Sequence, residues 1–128
     1  SDEGQTWAEV TSLGSSSDSI NALAVDNVGN LYAAVTGTAS GQGIWRSQNN
    51  GTTWTRVKAH PNNTGYYDIA IFQSGTRIVA VGDVTSSAAS PVIFSNNQGA
   101  TWQDVSPRYD KKHIAVATTP DPVLFHLL

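Results

Sequence analysis

The sequence contains no cysteine and no methionine among its 128 residues. The absence of cysteine excludes disulfide bonds, thiolate metal ligands and thiol catalysis. Charged residues make up 13% of the chain, against about a quarter in a typical soluble domain. The net charge of -3 leaves no basic excess for a nucleic-acid backbone or an anionic membrane. No apolar run approaches the roughly 20 residues of a membrane helix, so we expect no membrane insertion. We also expect no nucleic-acid partner and no cofactor.

One short motif occurs three times and ends in Gly-x-Thr-Trp. The tryptophans Trp7, Trp54 and Trp102 lie 47 and 48 residues apart, and a valine follows each of them by three positions. The motif positions are Asp2, Gly4, Thr6 and Trp7 in the first copy, Ser47, Asn49, Gly51, Thr53 and Trp54 in the second, and Ser95, Asn97, Gly99, Thr101 and Trp102 in the third. This nearly constant spacing indicates an internal repeat.

Short alternating apolar segments separate the motif copies and predict strands. The predicted strands are 20–25, 31–35, 43–47, 53–57, 67–72, 77–81, 92–95, 101–105, 113–117 and 123–127. No window carries a helical stripe, so we predict an all-β fold. Four short strands in each period of this length are typical of the four-stranded antiparallel blades of a β-propeller. The chain then holds about two and a half blades, an incomplete set.

This interpretation divides the chain into four parts of one partial propeller. Residues 1–12 are the outer strand of a preceding blade, 13–59 and 60–107 are whole blades, and 108–128 are the inner strands of a following blade. An incomplete ring exposes unpaired sheet edges. We therefore expect its partners to be the remaining blades of the same propeller or other copies of the chain.

Each motif copy lies at a turn before the fourth strand of a blade, and its residue types have local physical roles. The Asp or Asn can accept hydrogen bonds from backbone N–H groups, and the glycine permits a positive φ. The threonine is predicted to open the strand. The tryptophan is predicted to cover the turn and wedge between blades, where its burial stabilises by about 2–3 kcal/mol.

The pattern Ser-x-Asp-x-Gly-x-Thr-Trp resembles the Asp-box, or BNR repeat. This repeat is found in sialidases, xyloglucan-cleaving glycosidases, sortilin-like receptors and bacterial surface propellers. Asn49 and Asn97 depart from it, because asparagine stands where the family has aspartate. Asparagine keeps a carbonyl acceptor but loses the charge that hard cations prefer, so we predict structural turns and no metal site.

The resemblance implies that ligands bind on the loop face opposite the motif turns, near the central channel. The candidate ligand residues in those loops are Asp18, Tyr66, Tyr67, Arg108 and Tyr109, with His60, Asp110 and Lys111 as further loop candidates. Each has an alternative role. One of the adjacent tyrosines is expected to point into the core, and the charged side chains to be solvated.

Two classes of function remain open from the sequence. The first is an extracellular or cell-surface (or periplasmic) scaffold that recognises a glycan or a protein on the loop face. The alternative is part of a glycoside hydrolase for a neutral polysaccharide, which needs two carboxyls, with Asp68 and Asp83 as catalytic candidates. A sialidase is disfavoured, because Arg77-Ile78-Val79 departs from the Arg-Ile-Pro motif and only four arginines occur.

Overall fold

The computed structural model describes residues 3–61, 64–72, 76–82 and 92–105, and the backbone of 114–117 and 124–127. The strands are β1 (Ser19–Val25), β2 (Leu31–Thr36), β3 (Gly43–Ser47), β4 (Thr55–Lys58), β5 (Tyr66–Phe72), β6 (Arg77–Gly82), β7 (Val92–Ser95), β8 (Gln103–Val105), β9 (Ile114–Ala117) and β10 (Leu124–Leu127). No helix occurs among these residues. The described part of the chain therefore holds no helix long and apolar enough to cross a membrane.

The strands form two four-stranded antiparallel sheets and one hairpin. Sheet 1 has the order β1-β2-β3-β4, sheet 2 has the order β5-β6-β7-β8, and β9 pairs with β10. Each sheet is a meander in which every strand pairs with its sequence neighbour. The all-β class and the four-stranded antiparallel unit predicted from the sequence are confirmed.

Two strand predictions were wrong at their start. The fourth strands were predicted to open at Thr53 and Thr101, but β4 begins at Thr55 and β8 at Gln103. Both threonines instead give their backbone N–H to the motif asparagine, as described below. The outer strand predicted in residues 1–12 is also not found, because no strand occurs between residues 3 and 18. Such a strand needs a neighbouring sheet edge for its backbone hydrogen bonds, and residues 3–18 pair with neither of the two sheets.

The two sheets pack face to face in sequence order. The first strands of successive units are neighbours, since β1 contacts β5 and β5 contacts β9. A single apolar core joins the sheets, with Tyr32 and Ile44 from sheet 1 and Ile69, Ile78 and Ile93 from sheet 2. The second strands β2 and β6 are buried almost throughout, as expected for a strand covered on both faces and rich in valine, isoleucine and alanine.

Candidate functional site

The second and third motif copies close on the same hydrogen bonds. The Ser47 hydroxyl donates to Asn49 Oδ1 at 3.0 Å and accepts from the Gly51 N–H at 2.9 Å. Asn49 Oδ1 also accepts from the Thr53 N–H at 2.9 Å, while its Nδ2 donates to the Thr53 hydroxyl at 2.8 Å. The turn therefore satisfies its own polar groups, which favours a structural role.

The third copy repeats this network within 0.1 Å. Ser95 donates to Asn97 Oδ1 at 2.9 Å and accepts from the Gly99 N–H at 2.8 Å. The two asparagine–threonine bonds again measure 2.9 and 2.8 Å. Asparagine thus fills both roles that this turn asks of the position, acceptor through Oδ1 and donor through Nδ2.

The glycine of each motif follows another residue of positive φ. The pairs are Glu3 and Gly4 (54° and 83°), Asn50 and Gly51 (56° and 84°), and Gln98 and Gly99 (56° and 80°). Two successive left-handed residues turn the chain sharply, and glycine takes the second place at no steric cost. The first copy therefore has the same pair of left-handed residues, although no strand follows it before β1. Its Asp2 lies outside the described residues.

The three tryptophans have different surroundings. The indole N–H of Trp54 donates to the Gly51 carbonyl at 3.1 Å, and Trp102 does the same to Gly99. Trp102 packs against the core that joins the two sheets. Trp54 lines an open groove on the free face of sheet 1, and Trp7 is 90% exposed. Of the three, Trp102 alone packs between two described sheets.

A contact between the sheets involves residues that the sequence analysis did not select. The carbonyl of Gln98, in the third motif turn, accepts from the Tyr32 hydroxyl at 3.2 Å and from Arg46 Nη1 at 2.9 Å. The Tyr32 hydroxyl also contacts Asp26 Oδ2 at 3.2 Å. Burial, reinforced by the charge of Asp26, raises the pKa of Tyr32 to about 12.

Asp26 organises the β1–β2 turn. Its Oδ1 accepts from the backbone N–H groups of Val28 and Asn30, and its Oδ2 accepts from Asn30 Nδ2. Its carboxylate is buried, and each oxygen is hydrogen-bonded, as a buried charge requires. The sequence offered one sign of this role, the Asp-Asn-Val-Gly-Asn turn followed by a tyrosine. The Gln98 carbonyl, which accepts the hydrogen bond from Tyr32 across the two sheets, is 66 positions away in the sequence.

Asp18, a predicted ligand residue, holds two loops together on the loop face, opposite the motif turns. Its Oδ2 accepts from Ser15 N and Oγ at 2.6 and 2.8 Å, and its Oδ1 accepts from Thr38 N and Oγ1 at 2.7 and 2.9 Å. A Cβ at Gly37 or Gly41 would overlap this carboxylate. The four donors match the four lone-pair sites of a carboxylate, which favours an anchoring role.

The protonation of Asp18 follows from these bonds. Partial burial acts to raise the pKa of Asp18, but the hydrogen bonds from Thr38 and Ser15 outweigh it and bring that pKa below its usual value. Asp18 therefore stays ionised at neutral pH. A glycosidase general acid needs a raised pKa, so Asp18 is unsuited to that task.

Tyr66 and His60 lie in the interior beside the loop face. Tyr66 is 1% exposed and belongs to the apolar core that joins the two sheets, which we call the joint core. Its ring meets that of His60 edge-on, with 5.0 Å between the ring centroids. Burial, with a smaller effect of Asp104, raises the pKa of Tyr66. Tyr66 is therefore the inward member of the tyrosine pair and presents no ring face to a sugar. Gln42 holds the backbone of His60 through bonds to both its N–H and its carbonyl.

Tyr67 and Asp68 are the other predicted residues that the structure describes. Both are half-buried in β5, at the bulge between Tyr66 and Asp68. Asp68 Oδ1 accepts from the Ile69 N–H at 2.9 Å. The remaining candidates, Asp83, Arg108, Tyr109, Asp110 and Lys111, lie outside the described residues. The described part of the chain shows no group of three or more metal-ligating side chains.

Comparison with known proteins adds one similarity. The chain is 28% identical over 88 residues to a xyloglucanase from a Paenibacillus species, which covers 54% of this chain and 9% of the relative. The chain thus spans a small part of that protein's length. No family model matches the sequence, and no solved structure matches it.

Proposed function

We propose that the two sheets are blades of an Asp-box β-propeller of a secreted or cell-surface protein, and that they form a rigid scaffold for glycan recognition. The observation that carries this is the order of the units. The first strands β1, β5 and β9 follow one another as neighbours, while the second and third motif turns lie between the third and fourth strands of their sheets. That arrangement collects equivalent loops on one face, which is how propellers build a binding surface.

The loop face has the properties of a pre-formed surface. Asp18 joins the loop before β1 to the β2–β3 loop, and Gln42 joins the latter to the connection after β4. A rigid loop loses little entropy on binding. The low charge of the chain favours a neutral ligand, and Tyr67, half-buried at the start of β5, offers an aromatic side chain at this face.

Titration of the chain with xyloglucan oligosaccharides, and with a polygalacturonate as the charged comparison, tests this proposal. We expect saturable binding of the neutral glycan, weakened several-fold in Tyr67→Ala because an aromatic contact is lost. Asn27→Ala, an exposed change in the β1–β2 turn at the opposite face, is the matched control and should bind as wild type. Equal affinity of the two variants, or no binding of neutral glycans by the wild type, contradicts the proposal.

A second candidate function is part of a glycoside hydrolase for a neutral polysaccharide, favoured by the similarity to a xyloglucanase. Asp68 is its described carboxyl, on the first strand of sheet 2, and the reaction needs a second carboxyl about 5–9.5 Å away. Hydrolysis of an aryl xyloglucan oligosaccharide that is lost in Asp68→Asn, with glycan binding retained, would support catalysis. Glycan binding without turnover leaves the scaffold role.

A further inference from the structure

Sheet 1 has one face covered by sheet 2 and one apolar face that is uncovered along β1, although Ala33 of β2 is buried there. On the uncovered face Leu23 is 66% exposed and Val25 is 59% exposed. Both border a groove of about 430 Å³, which is lined by Val10, Leu23, Ala24, Val25, Leu31, Asn50, Gly51 and Trp54. None of the described residues that line it is charged. Contiguous apolar surface of this kind is typical of an interaction site.

The same molecule shows what covers such a face. Leu23 pairs with Ala33, as Ile69 pairs with Ala80, and Leu31 pairs with Ser47, as Ile78 pairs with Ser95. These pairings make the free face of sheet 1 the counterpart of the face that sheet 2 turns to sheet 1. There Ile69 is 6% exposed and Ile78 is fully buried.

The hairpin that follows sheet 2 is a unit of matching type. The hairpin of β9 and β10 follows sheet 2 as sheet 2 follows sheet 1, since β9 contacts β5. Its strands pair antiparallel from Ala117–Leu124 to Ile114–Leu127, as the first two strands of each sheet pair. Phe125 is the second residue of β10, the place that Tyr32 has in β2.

We propose that the free face of sheet 1 binds the β9–β10 hairpin of a second copy of this chain, so that copies associate head to tail. In this association the hairpin takes the place that sheet 1 has in the interface between sheets 1 and 2. The apolar groove takes the place of the buried face of sheet 2. Repeated head-to-tail contacts close into a ring when the rotation per copy allows it. This proposal rests on the order of the sheets and not on glycan recognition.

Light scattering coupled to size exclusion, over a range of concentrations, tests the association. We expect wild type to self-associate and Leu23→Asp to weaken association by about tenfold or more, because a charge is buried at the centre of the contact. Val28→Asp is the matched control. Val28 is also 66% exposed, but it lies in the β1–β2 turn and outside the groove, so this variant should associate as wild type. A wild type that is monomeric at every concentration, or equal behaviour of the two variants, overturns the proposal.

Engineered cysteines distinguish head-to-tail from face-to-face pairing, since the chain has no cysteine of its own. A mixture of Val25→Cys and Phe125→Cys chains should form a mixed disulfide under mild oxidation. Val25→Cys alone should give no rapid dimer, because in this arrangement two sheet 1 faces never meet. Rapid crosslinking of Val25→Cys with itself would overturn the head-to-tail arrangement. Glycan titration of the same samples measures the proposed binding function independently of the crosslinking.

Discussion

Sheets 1 and 2 are built on one sequence pattern but differ in what their corresponding faces meet. Ile69 in sheet 2 is 6% exposed, whereas its counterpart Leu23 in sheet 1 is 66% exposed. The motif turns show the same contrast. A Cβ added at Gly99 would lie within van der Waals distance of Val57 and Tyr32 in the neighbouring sheet, whereas Gly51 opens onto the groove. Local structure is therefore a property of the repeat, and burial is a property of its neighbour.

The largest expected difference between the sheets is in the free energy of unfolding after truncation of corresponding apolar residues. Ile69→Ala should cost about 2–5 kcal/mol, because it leaves a cavity in the joint core. Leu23→Ala should cost within about 0.5 kcal/mol, since its side chain is largely solvated. Urea unfolding at concentrations that keep the chain monomeric measures both. Equal losses would mean that the free face of sheet 1 is covered within a single chain.

A smaller difference is expected from the serine of each motif. Ser95→Ala removes the acceptor of the Gly99 N–H, which is buried, and should cost about 1–3 kcal/mol. Ser47→Ala removes the same bond from Gly51, where the turn is partly open to water, and should cost less. Thermal unfolding of both variants beside Thr52→Ala, an exposed change in the second turn, measures this. An equal loss for the two serines would contradict the role of burial.

The Tyr32 hydroxyl, which contacts both Gln98 in the third motif turn and Asp26, should contribute about 1 kcal/mol to the free energy of unfolding, as measured by Tyr32→Phe. Its pH dependence has a definite sign. The pKa of Tyr32 is raised from 10.0 to about 12 in the folded chain, so the unfolded chain loses this proton first. The stabilisation is complete below pH 10 and is lost as the pH rises towards 12.

Urea unfolding at pH 8, 10 and 11 separates this contribution. Tyr32→Phe should show a shallower fall in stability above pH 10 than wild type, with the remaining fall attributable in part to Tyr66, whose pKa is also raised. Identical pH profiles for wild type and Tyr32→Phe would rule out Tyr32 as a source of the alkaline instability.

The smallest effect is expected when aspartate, the residue of the Asp-box pattern that the motif resembles, replaces the motif asparagine. Asn97→Asp keeps the Oδ acceptor for the Thr101 N–H, and the threonine hydroxyl can reverse its role and donate. We expect a change within about 0.5 kcal/mol, whereas Asn97→Ala should lose clearly more. The thermal midpoints of the two variants test this, and a matching loss in both would show that the side-chain donor Nδ2 is essential.

Much of the fold could be predicted from the sequence because its determinants are local. The motif turn is closed by hydrogen bonds that each join residues at most four positions apart, as those of Ser47 and Asn49 show. Strand spacing follows from apolar alternation and turn residues. All ten observed strands were predicted, although the starts of β4 and β8 were wrong and the outer strand predicted in residues 1–12 was not found. The threonine error arose because strand propensity competes with the use of the Thr53 N–H in the turn.

The surroundings of the candidate site residues could be predicted less fully, because they depend on contacts between residues that are distant in the sequence. Asp18 was chosen for its charge in a loop, but the Thr38 amide and hydroxyl, twenty positions away, occupy its carboxylate. The tyrosine pair left open which ring points inward, and the packing of Tyr66 in the joint core decides it. No sequence pattern indicated that Tyr32 and Arg46 converge on the Gln98 carbonyl.

The sequence by itself therefore determined the repeat, its strands and the hydrogen-bonded turn that ends each motif, since these form between residues close in the chain. Only the tertiary structure decided which copies of that pattern are buried. The hydrophobic effect acts on surface removed from water, and whether Leu23 or Ile69 loses its water depends on the sheet beside it. Equivalent positions of the repeat, such as Leu23 and Ile69, therefore contribute differently to the free energy of unfolding.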